Sequence, residues 1–546
     1  MHTGFGVVEY TVLILYVLGS VLFGLWFARK KDNVEGYFLA GRNAPPWVVA
    51  ISLVSSDLTA VSYLGVAAWL LTNDLQYSVG GLLMYPIAVV CVAVVFVPFM
   101  ARLKLFTIYQ YLEHRFSVGV RTVASLLFMF SRSAHLAVAL FASSLAFALV
   151  TGIPPWVSLL VLGGLTTLYT VFGGMKAVLW TDVAQYFVLM GGLLAVVIGV
   201  SIAFDWDIAR IWSIASNPPS ITPSWLGGKV STGNHTTMFD FRMSLTQLTF
   251  WSIALNSFFY SFAALGSDQV LVQRYLAAGS KREMTRSLLG GCMVGIPTII
   301  LMNASGIFLM AYYHYFYNSP THEWIHSLAN ANQVMPHYVT HGLPGILGAL
   351  VIAGLFAGTM SSLSAGLNSL STTAYFDFFM RFGKKKVEAD SAGVLHAKLL
   401  TLFWGVVVIL AAGLVGNQES IFGALSAFMS PFLGPLLGMF ILGMVSSRVN
   451  NFGVITGAIA GVLATLYVTH AESIAGFQPP HLRWIWQPHL HWIWYPIVGW
   501  FIAMIAGYVL SFLKPAPDRK QIANLTLFGA GDEQCDPNED RKAYRS

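Results

Sequence analysis

Long apolar stretches alternate with short polar segments along almost the whole chain. A helix that crosses the hydrocarbon core of a bilayer needs roughly 20 apolar residues, and the chain holds about 13 such stretches. They lie at roughly 7–27, 47–71, 79–101, 122–150, 155–173, 181–204, 244–265, 287–316, 344–376, 396–415, 420–447, 452–470 and 492–513. The pattern predicts an all-α polytopic membrane protein.

Composition supports this class. Hydrophobic residues make up 56% of the chain and charged residues only 10%, too few for the surface of a soluble protein of this length. The three cysteines, Cys91, Cys292 and Cys535, form neither a disulfide framework nor a metal-ligand spacing. The first apolar stretch has no basic leader and no small-residue cleavage site, so we expect a retained helix rather than a signal peptide.

The basic residues predict the orientation, because cytoplasmic loops of membrane proteins are enriched in Lys and Arg. The chain has 30 Lys and Arg. With the N-terminus outside, only Arg210, Lys229, Arg242 and Arg483 lie in outer loops and Arg132 lies in a span. The other 25 (30 − 4 − 1), Arg274 among them, lie inside. We therefore expect a cytoplasmic C-terminus, a polar mobile tail at 515–546 and no nucleic-acid partner.

Some spans are too polar or too rich in Gly and Pro to be uniform helices. The second span places Ser52, Ser55, Ser56, Asp57 and Thr59 at mid-membrane, the ninth is dense in Gly and Ser, and the eleventh contains SPFLGP at 430–435. Small polar residues serve close helix packing. They also form broken helices whose free oxygens bind a cation inside a cavity. For the second and ninth spans together we favour a Na⁺ site.

Ionisable residues inside spans are costly unless they are paired or wet, and are functional candidates by default. Asp57, Arg132 and Asp182 are such residues. The alternatives are a structural ion pair between Arg132 and an Asp, and a helix N-cap formed by Asp182 with Thr181. Asp268 near a span end is a further candidate cap. His135 is interpreted as a satisfied polar residue rather than a ligand.

Four ordered motifs carry a family resemblance. They are GYFLAGR at 36–42, GGMKAVLWTDVAQ at 173–185, DQVLVQRYLAA at 268–278 and MSSLSAGLNS at 360–369. With these motifs the chain resembles the sodium:solute symporter family, which includes sodium/glucose, sodium/proline and sodium/sialic acid transporters. The resemblance extends from residue 36 to about 450.

The resemblance implies a LeuT-type fold of two inverted five-helix repeats, with one extra leading helix and two trailing helices. The corresponding division is 1–46 for the leading helix and its loop, 47–204 for repeat one, 205–243 for an extracellular loop, 244–447 for repeat two, 448–514 for the trailing helices and 515–546 for the tail.

The resemblance also implies site residues. The main Na⁺ site would comprise the carbonyls of Ser55, Leu58 and Gly358 and the hydroxyls of Ser361 and Ser362. A second Na⁺ would take Asp182, Ser361 and Ser364, although Ala365 departs from the family's pattern. Asp57, Thr59, Ser62 and Arg132 would face the solute. Val61 and Ser62 replace the Glu-Gln pair of the bacterial galactose carrier, so its sugar site is not simply copied.

These features predict a Na⁺-coupled symporter that imports a small polar solute by alternating access: a sugar or polyol, or a carboxylate such as sialic acid or a monocarboxylate. H⁺ coupling, and a transport-deficient sensor on the same fold, remain alternatives. A membrane-embedded enzyme would need a nucleophile with its base, or a metal cluster. The 14 histidines are scattered, and His481, His489 and His491 favour interfacial packing. We expect no enzyme, no organic cofactor, a monomeric functional unit and residence in the cell (inner) membrane among lipid.

Overall fold

The structure is a computed structural model that describes residues 6–27, 33–221, 234–328, 330–343, 345–383, 391–416, 421–470, 490–518, 522 and 524–527. Within these residues it contains helices and no β-strand. The prediction of an all-α protein is confirmed.

Twenty α-helices follow one another in these described ranges. They are α1 (Val7–Phe27), α2 (Val34–Leu39), α3 (Pro46–Asp57), α4 (Ala60–Thr72), α5 (Gln76–Val95), α6 (Val97–Leu103), α7 (Tyr109–Arg115), α8 (Val118–Thr151), α9 (Pro155–Ala203), α10 (Ile208–Ser216), α11 (Phe250–Ser267), α12 (Gln269–Leu276), α13 (Lys281–Phe316), α14 (Val334–His341), α15 (Gly345–Thr373), α16 (Met380–Phe382), α17 (Ser391–Leu414), α18 (Ile421–Val445), α19 (Asn451–Thr469) and α20 (Tyr495–Leu510). A π-helical segment, Ala374–Phe379, joins α15 to α16.

Ten helical segments in the described part of the chain are long and apolar enough to cross a membrane, or eleven if α3 and α4 count as one bent span. The predicted number of about 13 is not confirmed. The predicted spans 155–173 and 181–204 lie in a single helix, α9, of 49 residues. The predicted span 244–265 is the shorter helix α11, which begins only at Phe250 and is not among the ten.

α9 bends at Gly174, whose φ is 57° and ψ is −160°. Residues with a side chain rarely adopt this backbone conformation. A Cβ at this position would also lie 2.7 Å from the carbonyl oxygen of Tyr37. Both the backbone angles and the close approach of Tyr37 therefore require glycine at this position.

The second predicted span is broken, as expected from its polar residues. α3 ends at Asp57, Leu58 and Thr59 adopt extended backbone angles, and α4 leaves at a bend of 59°. The hydroxyl of Thr59 caps α4 by accepting the backbone N–H groups of Val61 and Ser62. A side-chain cap at this point replaces helical hydrogen bonds that the break removes.

The prediction that the ninth span is also broken is wrong. α15 is continuous from Gly345 to Thr373, and several of its hydroxyl groups bond back to their own helix. Thr359 donates to the carbonyl of Leu355, and Ser369 donates to that of Ala365. Its small residues instead serve close packing. The eleventh predicted span, α18, likewise continues through Pro431 and Pro435.

α15 is the central helix of the molecule. Every residue from 351 to 373 is buried, and α9, α1, α8 and α17 pack around it. The outer helices present large apolar side chains outward, including Leu15, Val94, Phe187 and Leu410, each more than 60% exposed. Such a surface fits hydrocarbon rather than water.

Part of the C-terminal segment packs onto the bundle. The backbone N–H of Leu527 donates to the carbonyl of Met444 in α18 at 2.7 Å, and the hydroxyl of Tyr111 in α7 donates to the carbonyl of Leu525 at 2.9 Å. The prediction of a mobile tail is therefore wrong for residues 524–527. Residues 528–546 lie outside the described part of the chain.

Candidate ion and solute site

The five residues predicted for the main Na⁺ site come together where α15 crosses the break between α3 and α4. The hydroxyls of Ser55 and Ser361 are 2.9 Å apart, and the hydroxyl of Ser362 donates to the carbonyl of Leu58 at 3.1 Å. Gly358 lies against the same carbonyl, which a Cβ at Gly358 would approach to 3.2 Å. The spot is thus surrounded by oxygen atoms from two helices.

The break supplies these oxygens because carbonyls at a helix end lack intrahelical donors. The carbonyls of Ser56 and Leu58 both accept the hydroxyl of Ser362, each at 3.1 Å. All three residues are buried or nearly so. A hard cation takes carbonyl and hydroxyl oxygens as ligands, so the donor set at this crossing suits Na⁺.

Asp182, predicted for a second Na⁺, lies beside this site and is fully buried. Its Oδ1 accepts the hydroxyl of Ser361 at 2.7 Å, and its Oδ2 is 3.2 Å from the guanidinium of Arg274. Ser364, the third predicted ligand, donates to the backbone carbonyl of Ser361 at 3.0 Å. Two of the three predicted side chains are therefore in contact, and Ser364 joins them through the backbone.

The N-cap alternative for Asp182 is wrong. The residue lies inside α9, two turns after the bend at Gly174, and its neighbour Thr181 donates to the carbonyl of Ala177 within the same helix. The carboxylate instead makes long-range contacts with α3, α12 and α15 through Ser52, Arg274 and Ser361.

Arg274 is the residue of this cluster that sequence reasoning missed. The distribution of Lys and Arg predicts a cytoplasmic loop for this residue, but it lies in α12 and is completely buried. Its Nε donates to the hydroxyl of Ser52 at 2.9 Å, while its charge compensates Asp182. The motif at 268–278 contained it, yet charge counting favours a loop for any Arg near a span end.

A cavity of about 300 Å³ lies beside the helix break and is the candidate solute site. Three of the four predicted solute residues, Asp57, Thr59 and Ser62, line it. The side chain of Asp57 is exposed to it. Among the described residues no hydrogen bond or ion pair to this carboxylate is found, so it is available to a ligand.

Arg132, the fourth predicted residue, does not line the cavity. It forms a buried ion pair with Asp268, and each residue is only 5% exposed. The other oxygen of Asp268 accepts the N–H of Val270 at 2.8 Å, which confirms it as the cap of α12. The structural alternative considered for Arg132 is thus the arrangement observed.

His135 lines the cavity and is buried. Its Nδ1 lies 2.9 Å from the sulfur of Met429, and its Nε2 has no hydrogen-bond partner among the described residues. Only one of its two ring nitrogens therefore has a partner here, which corrects the prediction of a satisfied polar residue.

The remaining polar and aromatic wall of the cavity was not predicted. It comes from α5, α11, α13 and the segment before α20, and includes Tyr77, Tyr85, Asn256, Tyr260, Asn303 and Trp492. These residues stand singly in apolar spans, and no sequence spacing identifies them as parts of a binding site. Trp492 also contacts Trp69 edge-to-face, with ring centroids 6.3 Å apart, at the C-terminal end of α4.

An all-helical bundle with a broken helix, an oxygen-lined crossing and an adjacent solute-sized cavity defines a multi-pass membrane transporter. The chain belongs to the sodium:solute symporter family, whose family model matches residues 37–461.

Similar proteins agree with this assignment. The sodium/sialic acid symporter SiaT of Proteus mirabilis (strain HI4320) is 26% identical over 478 residues, covering 87% of this chain and 92% of that protein. The sodium-dependent multivitamin transporter of Oryctolagus cuniculus is 31% identical over 474 residues, covering 85% and 70%.

The solved structure of a Na⁺-coupled sialic acid symporter, in a substrate-bound outward-open state, superposes with a TM-score of 0.80. It is 26% identical and covers 94% of this chain and 99% of that one. The LeuT-type fold predicted from the motifs is thereby confirmed.

Proposed function

We propose that the protein is a Na⁺-coupled secondary active symporter that imports a small polar organic solute by alternating access. The observation that carries this proposal is the crossing of α15 with the α3–α4 break. There the hydroxyl of Ser361 meets that of Ser55, and the hydroxyl of Ser362 donates to the freed carbonyl of Leu58. Family membership and the relatives' names support the same function.

The coupling of Na⁺ binding to a conformational change follows from the helices that the ion would connect. Na⁺ at this crossing would tie α15 to α3 and to the break that follows it, and so favour the conformation in which they are close. A gradient drives transport only if the ion's affinity differs between the two states. Movement of α15 away from Leu58 would separate the ligands and release the ion to the cytoplasm.

Two inverted repeats, 47–204 and 244–447, are part of the proposal. Their support is a second helix break at the matching place. α11 ends at Ser267, Asp268 is extended, and α12 begins at Gln269. Each proposed repeat thus begins with a discontinuous helix, which is typical of transporters built from inverted repeats.

A second Na⁺ at Asp182, Ser361 and Ser364 has weaker support. The guanidinium of Arg274 already compensates the negative charge of Asp182. A Na⁺ at this place would have to share the carboxylate with that guanidinium. Only Oδ1, which accepts the hydroxyl of Ser361, is directed at α15.

The candidate solutes are a sugar or polyol, or a carboxylate such as sialic acid or a monocarboxylate. A neutral polyol can bond to Asp57, Ser62 and Asn256 without disturbing any pair seen in the structure. A carboxylate that used Arg132 would have to displace Asp268 from it. The solitary carboxylate of Asp57 in the cavity favours H⁺ coupling as the second candidate.

We further propose a cell (inner) membrane location with the N-terminus outside and the C-terminus in the cytoplasm, on the distribution of Lys and Arg. The functional unit would be a monomer in lipid, with no enzymatic activity, no organic cofactor and no nucleic-acid partner. In the described residues no group of three or more His, Cys, Asp or Glu could hold a metal ion.

Uptake by proteoliposomes tests the proposal. Labelled galactose, inositol, sialic acid and lactate are each offered under an inward Na⁺ gradient, an inward H⁺ gradient, or equal K⁺. Accumulation of one class with Na⁺ alone, lost in Ser361→Ala, is expected. Accumulation driven by the H⁺ gradient alone would show that the coupling ion is H⁺ and not Na⁺. Na⁺-driven accumulation that is normal in Ser361→Ala would contradict the assigned ion site.

A further inference from the structure

Two histidines on the outer side take no part in the proposed transport site. His235 belongs to the loop between α10 and α11, and His314 lies in the last turn of α13. They are only 5% and 2% exposed. Their ring centroids are 5.4 Å apart and their planes cross at 62°, so they form a buried pair between the loop and the bundle.

The hydrogen bonds of the pair leave the same nitrogen of each ring available. Nδ1 of His235 lies 2.6 Å from the carbonyl oxygen of Asn73, and Nδ1 of His314 lies 3.3 Å from that of Pro219. A carbonyl only accepts, so Nδ1 carries the hydrogen and Nε2 carries a lone pair. Neither Nε2 has a hydrogen-bond partner within the described ranges.

We propose that His235 and His314 form an extracellular binding site for Zn²⁺. Zn–N bonds of about 2.05 Å, with ring centroids about 1.15 Å beyond the nitrogens, would place two imidazoles on a tetrahedral ion roughly 5.2 Å apart. The observed separation of 5.4 Å fits. A backbone carbonyl on Nδ1 is also the usual partner that orients a metal-bound histidine.

The hydrogen-bonding pattern suits a pair of metal ligands. With hydrogen on Nδ1, each ring offers the lone pair of its Nε2, as metal binding requires. No third His, Cys, Asp or Glu joins the pair among the described residues, so water would complete the coordination and the ion would exchange.

The position of the pair gives such an ion a consequence for transport. The backbone of His235 bonds to the carbonyl of Ala215 in α10, and its ring bonds to Asn73, the C-cap of α4. Zn²⁺ would therefore fasten the outer loop and α4 to α13. Since α4 is the outer half of the broken span, external Zn²⁺ should slow uptake without competing with Na⁺.

Thermal denaturation of the purified full chain tests binding independently of transport. ZnCl₂ should raise the Tm of the unmodified protein, and EDTA should reverse the rise. His235→Ala and His314→Ala should each lose the shift, and the double variant should lose no more, because both ligands are needed. The matched control is His341→Ala, an exposed outer histidine of α14, which should keep the shift.

A second measurement covers variants that fail to fold. Co²⁺ added to the unmodified protein should give visible absorption bands of a nitrogen-bound ion that Zn²⁺ abolishes, and His314→Cys should retain binding with a shifted spectrum. The proposal is overturned if Zn²⁺ leaves the Tm unchanged and Co²⁺ gives no such bands, in which case the pair holds water only. A Zn²⁺ shift that survives both alanine substitutions would overturn it equally.

Discussion

Ser362→Ala removes one oxygen from the proposed Na⁺ site and leaves helix α15 otherwise intact. Ser362 is 1% exposed, and its hydroxyl donates to the carbonyls of Ser56 and Leu58 at 3.1 Å. Alanine has the highest helix propensity, so the substitution does not weaken the helix itself. What is lost is the polar link between α15 and the break.

The expected effect on Na⁺ follows from the strength of that interaction. A contact between an ion and a hydroxyl contributes about 1.5–3 kcal/mol, as hydrogen bonds to charged groups do. Each 1.4 kcal/mol is a factor of ten, so the Na⁺ concentration for half-maximal response should rise roughly 10- to 150-fold. Without Na⁺ the variant also leaves two carbonyls short of a donor, at a cost of about 1–3 kcal/mol in stability.

Ser369→Ala is the matched control. Ser369 lies on the same helix and is equally buried, but its hydroxyl donates only to Ala365 of its own helix, at 3.0 Å. Na⁺ titrations of Tm, and of uptake once the solute is known, would compare both variants with the unmodified protein. Unchanged Na⁺ dependence in Ser362→Ala, or an equal loss in both variants, would refute the reasoning.

Three further predictions use other parts of the structure. Arg132→Gln leaves Asp268 as a buried unpaired charge and should destabilise the protein by about 3–5 kcal/mol, whereas adding Asp268→Asn should restore part of the Tm; no recovery would argue against the pair. Gly174→Ala forces a side chain into a left-handed conformation 2.7 Å from a backbone oxygen and should reduce folded yield, while Gly164→Ala, with open space around it, should not. Burial, with a smaller effect of the neighbouring histidine, lowers the pKa of His337 in α14 to about 4. Its contribution to stability is therefore complete above about pH 6.5 and is lost as pH falls towards 4; Tm at pH 7 and pH 5 should differ more in the unmodified protein than in His337→Gln.

Hydrophobic patterning predicts the helices well because the bilayer imposes a length on them. It fails where an element is set by backbone geometry. Gly174 turns two predicted spans into one bent helix, and the apolar pattern contains no mark of that. The Gly and Ser of α15 predict a broken helix, yet the helix is continuous, and hydroxyls such as that of Ser369 bond to their own turn.

The residues of the proposed ion site come from the family resemblance, and the structure brings them together. Ser361 and Ser362 are adjacent, and Ser55 and Leu58 flank the polar break of the second span. The pairings across the bundle were not predictable: Asp182 with Arg274, and Arg132 with Asp268, join residues 92 and 136 positions apart. Such pairs arise from the packing of distant helices, for which a single sequence carries no spacing rule.

The central claim is that the crossing of α15 with the α3–α4 break binds Na⁺ in preference to K⁺. Its most direct test is the Tm of the purified protein in NaCl and in KCl at equal ionic strength. At ten times the dissociation constant, Na⁺ would stabilise the folded state by about 1.4 kcal/mol, a rise on the order of 1 °C for a chain of this size. The account predicts that rise in NaCl alone, and its loss in Ser361→Ala. Identical midpoints in NaCl and KCl across the full range of concentration would contradict it.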